Sequence, residues 1–331
     1  MRQSPTLKKI AENLNLSIST VSRALKDHPD ISSDTKTKVL ALAELLDYDP
    51  NPYAVNLRTR NSNEFAVIVP SLSNFFYHSF IRSIEEDARR YGYSVIIYGS
   101  SNDPAIELEI LKSCKHKRVS GIFIAITADT NDVDQFIKLD AQGVPVIFFD
   151  KVPSYESCNK ICVGDAHASS LAAEAILAKK TKHVLGLFGN KNMSITQARL
   201  KNFTEVLMKD DPNINLIIEF ATSSEEAENI VLKELNSNKK EFVVFCMSDE
   251  ILVGAMKAIQ RKGLKTPEDL GVISISDGMI PQLYYPEITY AETSGFKLGK
   301  LAFGRMMKCI SGSPFVQTII DQSILVSGGS L

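Results

Sequence analysis

The chain has 331 residues, about twice the length of a typical domain, so we expect more than one folding unit. Hydrophobic residues make up 44% and charged residues 23%, proportions that exclude a wholly disordered or collagen-like chain. The net charge is −2, but residues 1–26 carry five basic side chains and one acidic one, a net +4, whereas residues 61–331 carry 28 basic and 32 acidic ones, a net −4. A polyanion is therefore expected to bind the N-terminal region, unless the basic residues form an ordinary solvated helical face.

The first fifty residues predict three short helices around a small core. The apolar positions recur at helical spacing: Leu7, Ile10, Ala11 and Leu14 in the first helix, Val21, Ala24 and Leu25 in the second, and Val39, Ala43 and Leu46 in the third. Thr6, Ser17 and either Ser32 or Ser33 are the predicted N-caps, and the third helix stops before Asp49-Pro50. Asn15 tolerates the left-handed turn that a helix-turn-helix needs. Ile18, Ser19, Ser22 and Arg23 are left to face outward.

A second motif begins at Asn51-Pro52, a cap followed by a proline at the first helical position. It offers barely two turns, and helices shorter than about 12 residues rarely persist alone in water. We therefore expect a helix that needs a partner, with an ordinary linker carrying one exposed leucine as the alternative.

From Phe65 onward, short apolar runs alternate with helical stretches. The predicted strands lie at 65–69, 94–98, 122–126 and 146–149, and then at 184–188, 216–218, 242–245 and 272–275. Continuous apolar strands between helices indicate parallel sheets covered on both faces. Two α/β lobes with a ligand cleft at the carboxyl ends of their strands are therefore expected.

The motifs together resemble one family. Thr6–Ala11, Ser19–Leu25 and Tyr48–Pro52 are similar to the DNA-binding headpiece of the lactose-repressor and galactose-repressor (LacI/GalR) family of bacterial transcriptional regulators, and the similarity extends through 68–70, 121–122, 147–150 and 254–259. One departure is Asn15, where the family usually has glycine; asparagine still suits the turn.

The resemblance implies an all-α helix-turn-helix headpiece and an α/β effector body of two Rossmann-like, parallel-sheet lobes like those of periplasmic binding proteins. The implied boundaries are 1–49 for the headpiece and 50–63 for the hinge helix and linker. The first lobe would take 64–163 plus 293–322, and the second 164–292 plus 323–331.

The resemblance also implies where DNA is bound. The opening of the second helix, Ile18, Ser19 and Arg23, would enter the major groove, where the Arg23 guanidinium can donate two hydrogen bonds to guanine. Leu57 would act as an apolar wedge in the minor groove, with Arg58 at the backbone or groove floor. The full predicted DNA-binding set is Thr6, Ser17, Ile18, Ser19, Thr20, Ser22, Arg23, Asn51, Tyr53, Ala54, Leu57 and Arg58. Two-fold operators imply a homodimer, and the chain ends without the heptads of a tetramerisation tail.

The cleft is expected to hold a small-molecule effector. Phe76 and Tyr77 would stack on it or pack in the core, Asp150 would accept hydrogen bonds from it or cap a strand, and Arg199 would bind a carboxylate or adjacent hydroxyls. Ser248, Ser276, Asp277 and Thr293 complete the predicted effector-binding set. Ser276-Asp277 and Ser248-Asp249 depart from the common pattern, and Ala221–Ser224 replaces the frequent aromatic after Phe220. A sugar or sugar derivative is favoured over a purine.

Enzyme motifs are missing from the sequence, which has neither glycine-rich nucleotide loops nor a nucleophile elbow or zinc-protease signature. We expect no enzyme activity, no cofactor and no metal, since Cys158 and Cys162 have no second pair to complete a zinc site. A stand-alone sugar receptor of the periplasmic type is the alternative. The absence of an apolar leader or membrane span favours a cytoplasmic protein without a membrane partner.

Overall fold

The computed structural model describes residues 5–48, 62–237 and 242–331. The chain divides into two compact units, Met1–Ser62 and Asn63–Leu331, called here the headpiece and the body.

Helices α1 (Leu7–Asn13), α2 (Ile18–Ala24) and α3 (Ser33–Leu45) form the headpiece. The predicted N-caps are confirmed: the side chains of Thr6, Ser17 and Ser32 accept hydrogen bonds from backbone N–H groups of the first turns. Asn15 adopts the left-handed conformation with φ of 51°, which turns the chain sharply between α1 and α2. The local signals in the sequence therefore suffice to place these helix starts.

The headpiece core is small and fully apolar. Its buried side chains come from all three helices, and they are Ile10, Ala11, Val21, Ala24, Val39 and Ala43. Few large residues contribute, so each one carries a large share of the stability of this unit.

In the body, the first sheet has the strand order β11-β5-β4-β3-β1-β2. Its strands are β1 (Glu64–Val69), β2 (Ser94–Gly99), β3 (Gly121–Ile124), β4 (Val146–Phe149), β5 (Asn159–Val163) and β11 (Thr318–Asp321). Neighbouring strands pair in parallel, as the continuous apolar runs predict. Helices α4 (Phe75–Arg90), α5 (Pro104–Lys117), α6 (Asp134–Ala141) and α11 (Gly295–Ile310) accompany this sheet.

The strands of the first sheet send alternate residues to opposite faces. Phe65 and Val67 belong to a core shared with α4 and α11, whereas Ala66 and Ile68 belong to one shared with α5 and α6. The stacked rings of Phe80 and Phe149, 3.6 Å between centroids, fix α4 against the sheet.

The second sheet has the order β12-β10-β9-β8-β6-β7. Its strands are β6 (His183–Phe188), β7 (Asn215–Phe220), β8 (Phe242–Cys246), β9 (Gly271–Ser276), β10 (Thr289–Glu292) and β12 (Leu325–Val326). Only β12 runs antiparallel among these described strands, beside β10. The accompanying helices are α7 (Asp165–Ala178), α8 (Ser194–Asp210), α9 (Ser224–Leu235) and α10 (Asp249–Arg261), with a short 3-10 helix at Pro281–Leu283.

The chain crosses between the two lobes several times. After β10 in the second sheet, α11 packs against α4 of the first lobe, β11 joins the first sheet, and β12 returns to the second. The crossing is tight where α11 begins, because a Cβ on Gly295 would clash with the carbonyl oxygen of Phe76. Sequence patterns alone did not predict β5, β10, β11 or β12, since their short, polar-interrupted runs lack a clear period.

Candidate functional site

The outward face of α2 presents the residues predicted to read DNA. Ile18 is 50% exposed, and Ser19 and Arg23 are also exposed. Asp30 Oδ2 lies 3.9 Å from Arg23 Nη1, and both side chains are more than half exposed. A loose, solvated pair of this kind leaves the guanidinium free to exchange partners.

The remaining headpiece hydroxyls have structural roles as well. Ser17 Oγ lies 2.7 Å from Ser19 Oγ and 2.8 Å from Thr20 Oγ1 while it caps α2. Thr6 caps α1, and Ser22 is half-buried. The predicted hinge contacts, Asn51, Tyr53, Ala54, Leu57 and Arg58, lie outside the residues that the structure describes.

A cavity of about 810 Å³ lies in the body, at the carboxyl ends of the strands of both sheets. All the residues predicted to bind the effector line it: Phe76, Tyr77, Asp150, Arg199, Ser248, Ser276, Asp277 and Thr293. The structure thus brings together side chains from distant parts of the chain, at the place where open α/β sheets bind ligands.

Tyr77 and Asp150 form one wall of the cavity as a bonded pair. The Tyr77 hydroxyl donates to Asp150 Oδ2 over 2.9 Å, and burial raises the pKa of both groups. Only 1% of Tyr77 is exposed, and its ring packs edge-on against Phe149. The Tyr77 ring therefore packs in the core although the residue also lines the cavity, and Phe76 is half-buried and lines the cavity as well.

Asp150 follows β4 with φ of 55°. An aspartate in this left-handed region is uncommon and costs free energy that the surrounding structure must offset. This backbone conformation and the Tyr77 hydrogen bond together hold the carboxylate at the cavity wall.

Arg199 is held rigidly in α8 and is 6% exposed. Its Nε donates to Asp165 Oδ1 over 2.8 Å and its Nη1 to the carbonyl oxygen of Met247 over 2.7 Å. Burial raises the pKa of Asp165 to about 6, with the Arg199 charge opposing that shift. Asp165 was not predicted from the sequence, because no local signal links it to a partner 34 positions away.

A network of hydrogen bonds joins the strand ends of the second lobe. Asp249, itself 8% exposed, accepts the hydroxyl of Ser276 and the backbone N–H of Asp277. Asp277 Oδ1 accepts the backbone N–H of Gly295 over 2.6 Å, so it fastens the end of β9 to the start of α11. Burial raises the pKa of Asp277 to about 6.

The other predicted residues of this wall have protein partners too. Ser248 caps α10 through the backbone N–H of Ile251, and the backbone N–H of Thr293 donates to the carbonyl oxygen of Ser276. Ala221 and Thr222 line the cavity, whereas Phe220 does not line it and is 39% exposed.

Two further lining residues were missed from the sequence. Lys151 follows Asp150, and burial lowers the pKa of its amine while the charges of Asp150 and Glu107 oppose that shift. Thr196 is 1% exposed, and its hydroxyl has no hydrogen-bond partner among the described residues. Buried polar groups usually have a hydrogen-bond partner, so this hydroxyl is an exception beside the cavity.

Neither a metal-binding cluster nor a membrane-spanning helix is found among the described residues. In residues 5–48, 62–237 and 242–331, no group of three or more His, Cys, Asp or Glu side chains is arranged to hold a metal ion. In the same ranges, no helix has both the length and the apolar character needed to span a membrane.

Comparison with known proteins identifies both units. Residues 6–51 match the family model for bacterial regulatory proteins of the lacI family, and residues 65–312 match a periplasmic binding protein domain. The HTH-type transcriptional regulator RegA of Clostridium saccharobutylicum is 28% identical over 92% of both chains. The ribose operon repressor of Bacillus subtilis (strain 168) is 26% identical over 98% of this chain and 97% of its own length.

Solved structures agree with the fold. The lac repressor dimer bound to operator and the anti-inducer ONPF superposes with a TM-score of 0.84 at 24% identity, over 99% of both chains. A LacI family transcriptional regulator from Enterococcus faecium with bound ribose covers 81% of this chain and 98% of its own, with a TM-score of 0.71 at 20% identity. With a lacI-type headpiece and a periplasmic-binding-protein-type body matched over most of its length, the chain belongs to the LacI family of bacterial transcriptional regulators.

Proposed function

We propose that this regulator binds a palindromic DNA operator as a homodimer and that a small molecule in the body cavity sets its affinity for that operator. One observation carries the proposal: a single chain combines an exposed DNA-reading face on α2 with a cavity of about 810 Å³ lined by the predicted effector residues. A dimer follows from the symmetry of a palindrome, because each half-site needs its own headpiece.

The cavity favours a polyhydroxylated ligand. Its polar groups include Asp150 and the hydroxyls of Ser248 and Thr293, and the half-buried ring of Phe76 can stack on the apolar face of a sugar. Two similar proteins support the same class, namely the ribose operon repressor of B. subtilis and the E. faecium regulator with bound ribose.

The two lobes would transmit ligand occupancy. We assign residues 64–163 plus 293–322 to the first lobe and 164–292 plus 323–331 to the second, so that the interlobe segments are the pivots. A ligand that prefers one arrangement of the lobes shifts the equilibrium between the arrangements. The coupling free energy between ligand binding and DNA binding would be on the order of 1–3 kcal/mol.

We further propose that the body binds its ligand without turning it over and that the protein works in the cytoplasm, where its DNA target lies. No histidine or cysteine is among the described residues that line the cavity, and Arg199 is already bonded to Asp165, which supports binding without turnover. Recovery of an unchanged ligand after prolonged incubation is the expected result, and its consumption would contradict the proposal.

Operator binding is tested by selection from randomised duplex DNA with the full chain. The expected product is a palindrome whose two halves are read by the two headpieces, and enrichment of no sequence would contradict the proposal. The cavity is tested by thermal shift with sugars and nucleobases, each with and without the selected operator. A ligand that stabilises the protein differently in the two cases identifies both the effector and the direction of its effect on DNA binding.

A further inference from the structure

Asp277 connects the two lobes of the body through its carboxylate. It follows β9 of the second sheet, and its Oδ1 accepts the backbone N–H of Gly295 over 2.6 Å. The Ser79 hydroxyl also donates a hydrogen bond to this carboxylate. Gly295 begins α11 and Ser79 lies in the second turn of α4, the two helices that share a core with the first sheet. One side chain of the second lobe therefore holds two helices of the first.

The packing of these two helices leaves no room for a side chain at the start of α11. A Cβ on Gly295 would clash with the carbonyl oxygen of Phe76 and with the Ser79 hydroxyl. One turn further along, a Cβ on Gly299 would clash with the side chain of Ser83. The two glycines let the backbone of α11 lie directly against α4, so that one carboxylate reaches both helices. A shift of either helix relative to β9 therefore changes the hydrogen bonds at that carboxylate.

The Ser79 hydroxyl is within reach of two acceptors. Its Oγ lies 3.1 Å from the carbonyl oxygen of Phe76 in its own helix, and it also reaches the Asp277 carboxylate. A hydroxyl has a single hydrogen to donate, so it can bond fully to only one of them. The bond to an ionised carboxylate is roughly twice as strong as the bond to a neutral carbonyl. If Asp277 moved away from α4, the hydroxyl would bond to Phe76 and would not be left unpaired, which lowers the cost of that movement.

The same hydrogen bonds adjoin the ligand cavity. Asp277 lines the cavity, and so does Phe76, which belongs to the first turn of α4. Asp277 also donates its backbone N–H to Asp249 Oδ2 over 3.2 Å, and Asp249, the first residue of α10, is another lining residue. Ser79 itself does not line the cavity. A ligand can thus act on Asp277 from the second lobe and on α4 from the first without contacting Ser79.

We propose that Asp277 and Ser79 form a latch between the lobes, and that exchange of the Ser79 hydrogen bond between Asp277 and Phe76 transmits occupancy of the cavity to the first lobe. Ser79 is then a positioning residue for the operator response and not a ligand contact. A ligand shifts the lobes only if some contact differs between their arrangements, and this hydrogen bond supplies one. The first lobe also contains β1, the strand that follows the headpiece along the chain. This inference rests on the proposed function of the cavity.

The test removes the latch hydroxyl and measures the response to sugars. Ser79→Ala is compared with Ser83→Ala, a matched control one turn further along the same face of α4. Ser83 is 0% exposed, and its hydroxyl has no hydrogen-bond partner among the described residues. The affinity of each full chain for the selected operator is measured by fluorescence anisotropy, without sugar and with D-ribose, D-xylose, D-glucose or D-galactose. Sugar binding without DNA is measured in parallel by titration calorimetry.

Ser79→Ala is expected to reduce the fold-change in operator affinity that a sugar causes by about fivefold or more, while the affinity for the sugar itself changes little. Ser83→Ala should respond as the unaltered chain does. A full response in Ser79→Ala, or equal losses in both variants, would overturn the latch and leave the proposed function intact. An unaltered chain whose operator affinity changes with none of the sugars would contradict the proposed function, on which the latch depends.

A double variant tests whether the two residues act through one bond. Asp277→Asn keeps the shape of the side chain and removes the charge that strengthens the bond from Ser79. The double variant Ser79→Ala/Asp277→Asn should lose no more of the response than Asp277→Asn alone, because both changes remove the same contact. Losses that add in the double variant would show that the two residues act independently and would overturn the latch.

Discussion

The headpiece and the body place their functional side chains in opposite environments. On α2, Ile18 and Arg23 are exposed and lie within two turns of one helix. In the body cavity, Asp150, Arg199 and Asp277 come from three separated segments and are buried or half-buried. DNA is a large partner that approaches from outside, whereas a small ligand has to be enclosed to bury enough of its surface.

The energetics of charge differ in the same way. The exposed Arg23–Asp30 pair, at 3.9 Å, contributes little to stability because water screens it. The buried Arg199–Asp165 pair has lost its hydration, so that removing one partner leaves the other uncompensated. Functional residues of the headpiece are therefore expected to be replaceable without loss of folding, and those of the body are not.

The largest expected effect is in the body. Arg199→Met should lower the free energy of unfolding of the body by about 3–5 kcal/mol, because it leaves Asp165 buried and unpaired. The measurement is urea unfolding followed by circular dichroism. Lys201→Met on the same helix is the control: Lys201 pairs with Glu205 at 3.9 Å in an exposed position, so it should cost less than about 1 kcal/mol.

The double variant Arg199→Met/Asp165→Asn sharpens this result. It should recover part of the lost stability, since the uncompensated carboxylate is gone. A double variant as unstable as the sum of both single changes would show that the pair is not coupled.

The next effect concerns the headpiece core. Ile10 is 0% exposed, and Ile10→Ala should cost about 3 kcal/mol through lost burial and a cavity. A core of this size supplies no more than about 3–5 kcal/mol in total, so DNA binding should be lost at temperatures where the body stays folded. Leu40→Ala, at a position 52% exposed, should leave DNA binding intact. If Leu40→Ala also abolished DNA binding, the loss seen with Ile10→Ala would not be specific to the core.

A smaller effect is expected for DNA reading. Arg23→Ala should cost roughly 1–3 kcal/mol on the selected operator and relax the preference for one base pair, with unchanged folding. Arg23→Lys keeps the charge but not the planar fork, and it should restore non-specific affinity without restoring base preference. Binding assays on the operator and on its single-base variants measure the affinity and the base preference. Unchanged specificity in Arg23→Ala would show that this residue does not read a base.

The smallest expected effect is a pH dependence of body stability. Folding raises the pKa of Asp277 from 3.8 to about 6, mainly through burial and also through the charges of Asp249 and Glu292, against the hydrogen bonds from Gly295 and Ser79. The folded state therefore binds the proton more tightly, and this group lowers the free energy of unfolding as the pH rises from about 4 to 6. Asp277→Asn should flatten the pH profile of unfolding by about 1 kcal/mol per pH unit over that interval, and an unchanged slope would contradict the shift.

Much of the fold was predictable because its signals are local. Thr6 and Ser17 each accept a hydrogen bond from the backbone N–H three residues further along the chain. Asn15 itself adopts the left-handed conformation that the turn requires. The apolar runs at 65–69 and 242–245 indicated buried parallel strands without reference to their neighbours. The resemblance to a known family added the positions of the cavity residues, which neither composition nor periodicity contains.

The sequence by itself determined where the headpiece helices and most strands begin and which surface helix carries the exposed arginine, since capping, periodicity and backbone preference act over a few residues. Only the tertiary structure decided that Arg199 is bound to Asp165, that Asp249 holds Ser276, and that Asp277 fastens β9 to α11. These partners are far apart along the chain and become neighbours when the helices pack against the strands and against one another. Burial then gives their charges energies that the same residues would not have in water.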